Sequence, residues 1–515
     1  MILRKQLPWL LPTILVAIVV SILFFQNLEE VTEVPEENWS RALPIGETTL
    51  TKYPFVRTSS EGEIAITQYE NNAINNQIYD ENFEKLEQFT FPDIEVTKWV
   101  DAYTNNDNLI YFDYDNIIDG TSGEVITAAN KFYPLPNSVL YLKDKSLFKM
   151  DPVTRESTSL IQLDREFDRI IPIETTDGPI ILTYYKNDEE ENLALNLMKV
   201  TDSGTEQLYN QIISVPYGSK ISHVTLAADQ DSFAFLFNTT VNRGKGEPPL
   251  ITTHFYNSDT EVMDQITFYD PITNDQLQSI DDIKLSFFDE QVRALFVAKG
   301  QSNTRYKEST VFNIYEAFFT NEGIEVHRRS NTPNYSIKPQ WLEENTIAWV
   351  DRSGESHEIL VSSSDEAIID QAKGASKDDY INAIGKTLGA LTASSLGFLL
   401  SLTWIVGPII TLLIFNKRLM DKDPQWIYYI GIGSYFLSFV IFKDWFFIDT
   451  IYAQAPGYLT FTGSGYVYFL GLGIVAFLIS RISSRIKDWS IPVTLFYFVF
   501  MHMIMMTVLF GAYIL

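Results

Sequence analysis

The residues best placed to do unusual chemistry share one apolar run near the C-terminus. FVFMHMIMMTVLF (498–510) sets His502 among Met501, Met503, Met505 and Met506, which are four of the nine methionines, and His502 is one of only five histidines. On a helix, Met505 and Met506 lie three and four residues beyond His502 and share its face. Imidazole with thioether suits Cu(I), and imidazole alone suits haem iron. His502, Met505 and Met506 are therefore weak metal candidates. Against this, no other apolar run carries a histidine that could supply a second axial ligand. Methionine also fills irregular gaps in packed interiors. A neutral imidazole needs only a hydroxyl or carbonyl from a neighbouring helix, and packing is the favoured reading. His502 still stands as a candidate intramembrane polar site, because an ionisable group in a bilayer is a functional candidate by default.

The rest of the chain offers less. There is no cysteine, which removes disulfides, thiolate metal sites, cysteine nucleophiles and iron–sulfur clusters together. His223, His254, His327 and His357 are far apart and lack the short spacings of a zinc site. FDYDNIIDG places Asp113, Asp115 and Asp119 close together, but Ile117 occupies a ligand position that a calcium loop needs, so a solvated turn is expected. No nucleophile elbow and no phosphate-binding glycine loop is present. No catalytic residue can be named, and no cofactor is expected.

Two kinds of element must carry these residues. An apolar run at 7–25 follows Arg4 and Lys5 and precedes Glu29 and Glu30. Its exit, SILFFQN, lacks the small residues of a signal-peptidase site, so an uncleaved anchor is expected rather than a cleaved signal. Four further runs, 391–415, 425–442, 464–480 and 490–514, are each about as long as a bilayer core requires. Lys417, Arg418 and Lys422 occupy one loop between them, and Arg481, Arg485 and Lys487 another, while 443–463 holds only Lys443. Basic loops stay cytoplasmic. The expected topology has five spans in a plasma membrane, with the N-terminus inside and both the central region and the C-terminus outside. Gly407-Pro408 should kink the second span. Gly431, Gly433, Gly465, Gly471 and Gly473 should let helices approach closely. Trp426, Tyr428 and Tyr429 should form an interfacial belt.

The central region is acidic. Of 38 Lys/Arg and 66 Asp/Glu, only nine and five fall within 1–26 and 391–515, which leaves about −32 between them. Such a domain repels nucleic acid, so the expected partners are the lipid bilayer around the spans and a protein in or outside the membrane. Between about 43 and 365 the pattern is short β-rich runs separated by Asn/Asp/Gly/Pro turns, among them EIAITQY, NLIYFDY, DSFAFLFN and NTIAWVD. Units of four strands fit at 55–95, 96–136, 137–170, 176–216, 220–270, 280–330 and 336–365. That makes seven, with six or eight as alternatives. The clearest unit is SVLYLKDKSLFKMDPVTRESTSLIQL (138–163), which reads strand, tight turn, strand, PVTRES turn, strand.

LFKMDPVTRESTSLI resembles the outer blade strands of bacterial extracytoplasmic β-propellers of the broad WD40-like kind. The resemblance covers roughly 43–365 and departs from that group in lacking a repeated Gly-His or Trp-Asp signature; a pair of β-sandwiches is the competing fold. It implies a binding platform and transfers no catalytic residue. The expected organisation is an anchor at 1–26, an all-β propeller-like domain of about seven blades at 27–365, a linker or helix at 366–390, and a four-helix transmembrane domain at 391–515. The function expected is binding or scaffolding in envelope assembly, sensing or a membrane complex, with a non-enzymatic role favoured over an enzymatic one. An extracytoplasmic hydrolase or lyase acting on envelope polymers, or a transporter or redox module with the propeller as receptor, stand as alternatives.

Overall fold

The computed structural model describes residues 2–514 except 60–61, 164–168, 176, 188, 202–203, 230–231, 245–246, 303–311, 333, 353, 355 and 423. The chain divides into two compact units, one mainly Val34–Gly300 with Ser309–Lys373, the other mainly Met1–Glu33 with Gly374–Leu515.

The first unit is a β-propeller of seven four-stranded antiparallel sheets. Blades 1 to 6 are continuous in sequence, at 56–92, 101–128, 131–162, 169–214, 220–266 and 278–328. Blade 7 takes three strands from 335–363, and its fourth is Leu43–Thr48, which pairs antiparallel with His357–Ser363 from Leu43↔Val361 to Thr48↔His357. Strands from both ends of the domain thus close the ring. Closure of this kind leaves the ring no free edge at which to open. A side-chain clasp reinforces it. Trp39 Nε1 donates to Ser362 Oγ at 2.9 Å. The Arg329 guanidinium lies 4.0 Å from the Trp39 ring centre and bonds both Glu36 (2.6 Å) and Glu316 (2.8 Å).

The best sequence unit folds as read, into Val139–Lys143, Ser146–Met150 and Ser157–Gln162. Asp151 Oδ1 accepts from the backbone of Val153 (2.8 Å) and Thr154 (2.7 Å), which fixes the turn before PVTRES reverses the chain. The first strand of that blade, Lys131–Pro134, falls in the stretch assigned to the preceding unit. Four residues ending in proline are too short to signal a strand of their own. Second strands such as Ser232–Val241 and Gln291–Lys299 are buried almost without alternation, because each blade packs against a neighbour on both faces. Phe255 of blade 5 accordingly stacks on Phe319 of blade 6 at 4.1 Å.

Among the described residues, the second unit contains five helices long and apolar enough to cross a membrane, Pro8–Thr32, Lys377–Ile414, Trp426–Phe446, Ser464–Lys487 and Ile491–Tyr513. The second begins well before the apolar run. Ser376 Oγ accepts from Asp379 N (3.1 Å) while Asp379 Oδ2 accepts from Ser376 N (2.7 Å), a capping box that starts the helix at Lys377. Its α-helical winding is interrupted by a 3₁₀ turn at Leu402–Ile405, just before Gly407-Pro408. The reason is local: the ring of Pro408 clashes with the carbonyl four residues earlier, at Trp404.

Of the small residues, Gly431 and Gly407 mark close approaches. A Cβ at Gly431 would lie 2.4 Å from Leu495, and one at Gly407 2.2 Å from the carbonyl of Ser434. Gly433 and Gly471, in contrast, face open space. Tyr428 is not part of an exposed belt with Trp426 and Tyr429. It is buried, with its hydroxyl 2.6 Å from Ser480 Oγ.

Candidate functional site

Polar groups are buried in two places that bear on function, one in each unit. In the helical unit His502 is fully buried. Its Nδ1 lies 2.7 Å from the Tyr435 hydroxyl and its Nε2 lies 2.9 Å from the carbonyl oxygen of Phe469. The carbonyl can only accept, so Nε2 carries the proton and Nδ1 accepts from the phenol. Both ring nitrogens are therefore occupied. The imidazole meets Phe469 edge to face at 4.4 Å and stacks with Phe498 at 6.2 Å. Met501, Met503, Met505 and Met506 are all buried in the same apolar cluster. Among the described residues, no group of three or more His, Cys, Asp or Glu side chains is placed to hold a metal ion.

The other residues weighed in the sequence are dispersed. Asp113 Oδ1 caps the backbone of Asp115 and Asn116, at 3.0 and 2.7 Å. Asp119 instead caps Thr121 and bonds Arg155. His254 pairs with Thr239, His327 with Glu36, and His357 is buried in blade 7. Only His223 joins a larger constellation.

That constellation lies along the propeller axis. A cavity of about 660 Å³ is lined by the first strands of blades 4 to 7 and by Tyr53, in the segment that leads into blade 1. The first strands of blades 1 to 4 pair in unbroken register. Those of blades 5, 6 and 7 do not. Register slips between Ser222 and Thr225, on both sides of Asp281, and between Ile337 and Gln340. At these slips His223, Asp282 and Lys338 adopt left-handed backbone, with φ of 51°, 49° and 54°. Left-handed non-glycine residues are uncommon and cost about 1 kcal/mol or more each. Bulges re-aim side chains, and here three successive blades bulge where they carry titratable groups to the axis.

The groups meet closely. Asp282 accepts from the backbone N–H of Lys338 at 3.0 Å, pairs with the Lys338 ammonium and lies close enough to the Tyr53 hydroxyl to act on it. Burial, with the charges of Asp282 and Asp281, pushes the Tyr53 phenol well above its ordinary value. His223 Nδ1 lies 3.4 Å from Asp281 Oδ1. Lys284 is the exception. Its ammonium sits 4.0 Å from the Tyr53 ring centre and donates to Gln340 Oε1 at 3.3 Å. Among the described residues no carboxylate lies within 4.0 Å of it, although Asp282 is close enough to act through its charge. Burial pulls the Lys284 ammonium down to about 8; Asp282 opposes that and Lys338 adds to it.

Sequence reasoning missed this site. Tyr53, Asp281, Asp282, Lys284 and Lys338 come from three separated stretches with no shared motif, and they converge only once the ring closes.

No family model matches the sequence, and neither does any curated protein. Solved structures similar to this chain are propellers. The N-terminal domain of Nup159 matches at 8% identity and a TM-score of 0.36, over 64% of this chain and 97% of that one. BBS1N, solved in complex with ARL6DN, matches at 11% identity and 0.35, over 62% and 96%. The β-propeller domain of the Trilobed protease from Pyrococcus furiosus matches at 10% and 0.35, over 61% and 95%. The seven-bladed fold of this chain stands on its own strand pairing.

Proposed function

We propose that this is a membrane-anchored binding protein that takes its ligand into the axial cavity of the propeller. The observation that carries the reading is the convergence of Tyr53, Asp281, Asp282, Lys284 and Lys338 on one cavity through strained bulges in three successive blades. Strain and buried charge both cost stability, and a fold retains them where they do something. The basic loops support a propeller and C-terminus on the outer side of a bacterial plasma membrane, held by one span before the domain and four after it. The acidic surface argues for a partner that is a protein or a small molecule, not a nucleic acid. Occupied ring nitrogens and a methionine-rich surround support a packing role for His502, with Met505 and Met506 as filler, over a relay or metal role.

Two experiments test this. The chain has no cysteine, so single cysteines report topology cleanly. Ser122→Cys should react with an impermeant maleimide on intact cells, and Lys417→Cys should not; the reverse pattern overturns the orientation. Hydrogen exchange on the full chain with a polar extract of the cell envelope should show protection at the first strands of blades 5 to 7. Protection confined to outer strands, or none, contradicts the cavity as the binding site.

A second reading draws on the same cluster. An amine near neutrality beside a phenol and carboxylates can act as a general base, which fits a hydrolase or lyase on envelope polymers. Release of soluble fragments from such polymers, lost in Lys284→Met, would favour it.

A further inference from the structure

We infer that the axial cavity binds a ligand through an anionic group, a carboxylate or a phosphate, seated on the ammonium of Lys284. This rests on the reading of the cavity as the binding site and adds the class of ligand.

The argument is one of satisfaction. Asp282 is engaged by the Lys338 backbone and the Lys338 ammonium, with the Tyr53 hydroxyl beside it. Asp281 faces His223. Lys338 has its carboxylate in Asp282. Lys284, less exposed than the Arg169 that also lines the cavity, has no carboxylate within 4.0 Å among the described residues: it has a ring face, one amide oxygen and unused N–H donors inside a cavity of about 660 Å³. Lys284 is half-buried, and a cation drawn out of water without a counterion is costly, so proteins normally pair or neutralise it. Gln340 keeps the ammonium extended and the Tyr53 ring fixes one side of it, so an incoming anion finds the charge already placed. Partial burial has already stripped part of the ammonium's water, which strengthens any charge-assisted bond that replaces it. The lowered affinity of Lys284 for its proton is the same effect seen from the other side. A cationic ligand would meet Lys284 and Lys338 together, and a neutral one would leave the charge as it is.

Binding to the full chain in lipid nanodiscs tests this with three probes: galacturonate, inorganic phosphate and galactose as the neutral counterpart. Galacturonate or phosphate should bind with hydrogen-exchange protection at the first strands of blades 5 to 7, at least about tenfold more tightly than galactose. Binding of galacturonate but not phosphate identifies a carboxylate ligand, and the converse a phosphate. Lys284→Met should weaken the anion about 10- to 100-fold, and Lys284→Arg, which keeps the charge, should retain most of it. Unchanged thermal unfolding, or unfolding at a higher temperature, shows that Lys284→Met folds. Equal binding of galactose and galacturonate, failure of both anions to bind, or an unaffected Lys284→Met overturns the inference. Protection of the same strands by envelope extract would then leave the cavity reading standing without it.

Discussion

His502 and Lys284 are both ionisable side chains drawn out of water, His502 fully buried between helices and Lys284 half-buried on the propeller axis. Their surroundings answer that removal in opposite ways. His502 has both nitrogens bonded, aromatic rings on its faces and methionines packed about it. Lys284 has a charge without a carboxylate, an open cavity and a backbone bent out of register on either side of Asp281. A satisfied buried polar group holds a structure together, whereas one left partly unsatisfied costs stability until a ligand completes it. On the proposed reading the first serves structure and the second binding.

Mutation should separate them by sign. His502→Ala removes a packed ring and orphans the Tyr435 hydroxyl and the Phe469 carbonyl, so it should destabilise the helical unit by about 2–4 kcal/mol; unfolding in detergent measured against the parent checks this. A loss below about 1 kcal/mol would mean the histidine is not a packing element. Lys284→Met should stabilise the propeller by about 1 kcal/mol while weakening anion binding about 10- to 100-fold, because it removes a half-buried charge that lacks a carboxylate partner.

Smaller effects follow at the clasp. Burial raises the Glu36 carboxyl, but the hydrogen bond from His327 and the charge of Arg329 outweigh it and hold the group below its ordinary value. Its contribution is therefore present above the usual glutamate range and lost as pH falls through the lowered value. Glu36→Gln should cost about 1–2 kcal/mol near neutrality and less in acid, read from denaturant midpoints of the propeller. Tyr435→Phe leaves Nδ1 of His502 without a donor and should cost about 1 kcal/mol; an equal cost in the His502→Ala background would mean the two side chains do not interact.

Much of the architecture was legible beforehand. Turn residues such as those of DPVTRES fix hairpins locally, and the count of seven units follows from their spacing. The fourth strand of the last blade was not legible, because pairing Leu43–Thr48 with His357–Ser363 is a long-range event that no local pattern encodes. The site divides the same way. His502 announced itself as the one ionisable group of its kind in an apolar run. Lys284 and Asp282 read as ordinary members of an acidic, lysine-containing β-rich chain, and the left-handed turns at His223, Asp282 and Lys338 carry no glycine to betray them.

The central claim is that Lys284 is a partly desolvated ammonium awaiting an anion, and its own titration tests it most directly. With lysines dimethylated using ¹³C-formaldehyde, and the signal assigned by its loss in Lys284→Arg, NMR should show Lys284 titrating near 8 against an ordinary 10.5. Below about 8 the group is charged in both folded and unfolded chains and its cost is fully present. Between about 8 and 10.5 the unfolded chain holds a proton that the folded one has released, so stability should rise with pH across that window. Saturating galacturonate or phosphate should move the titration upward. A Lys284 that titrates near 10.5 with no ligand present, or one near 8 that neither anion moves, would contradict the account.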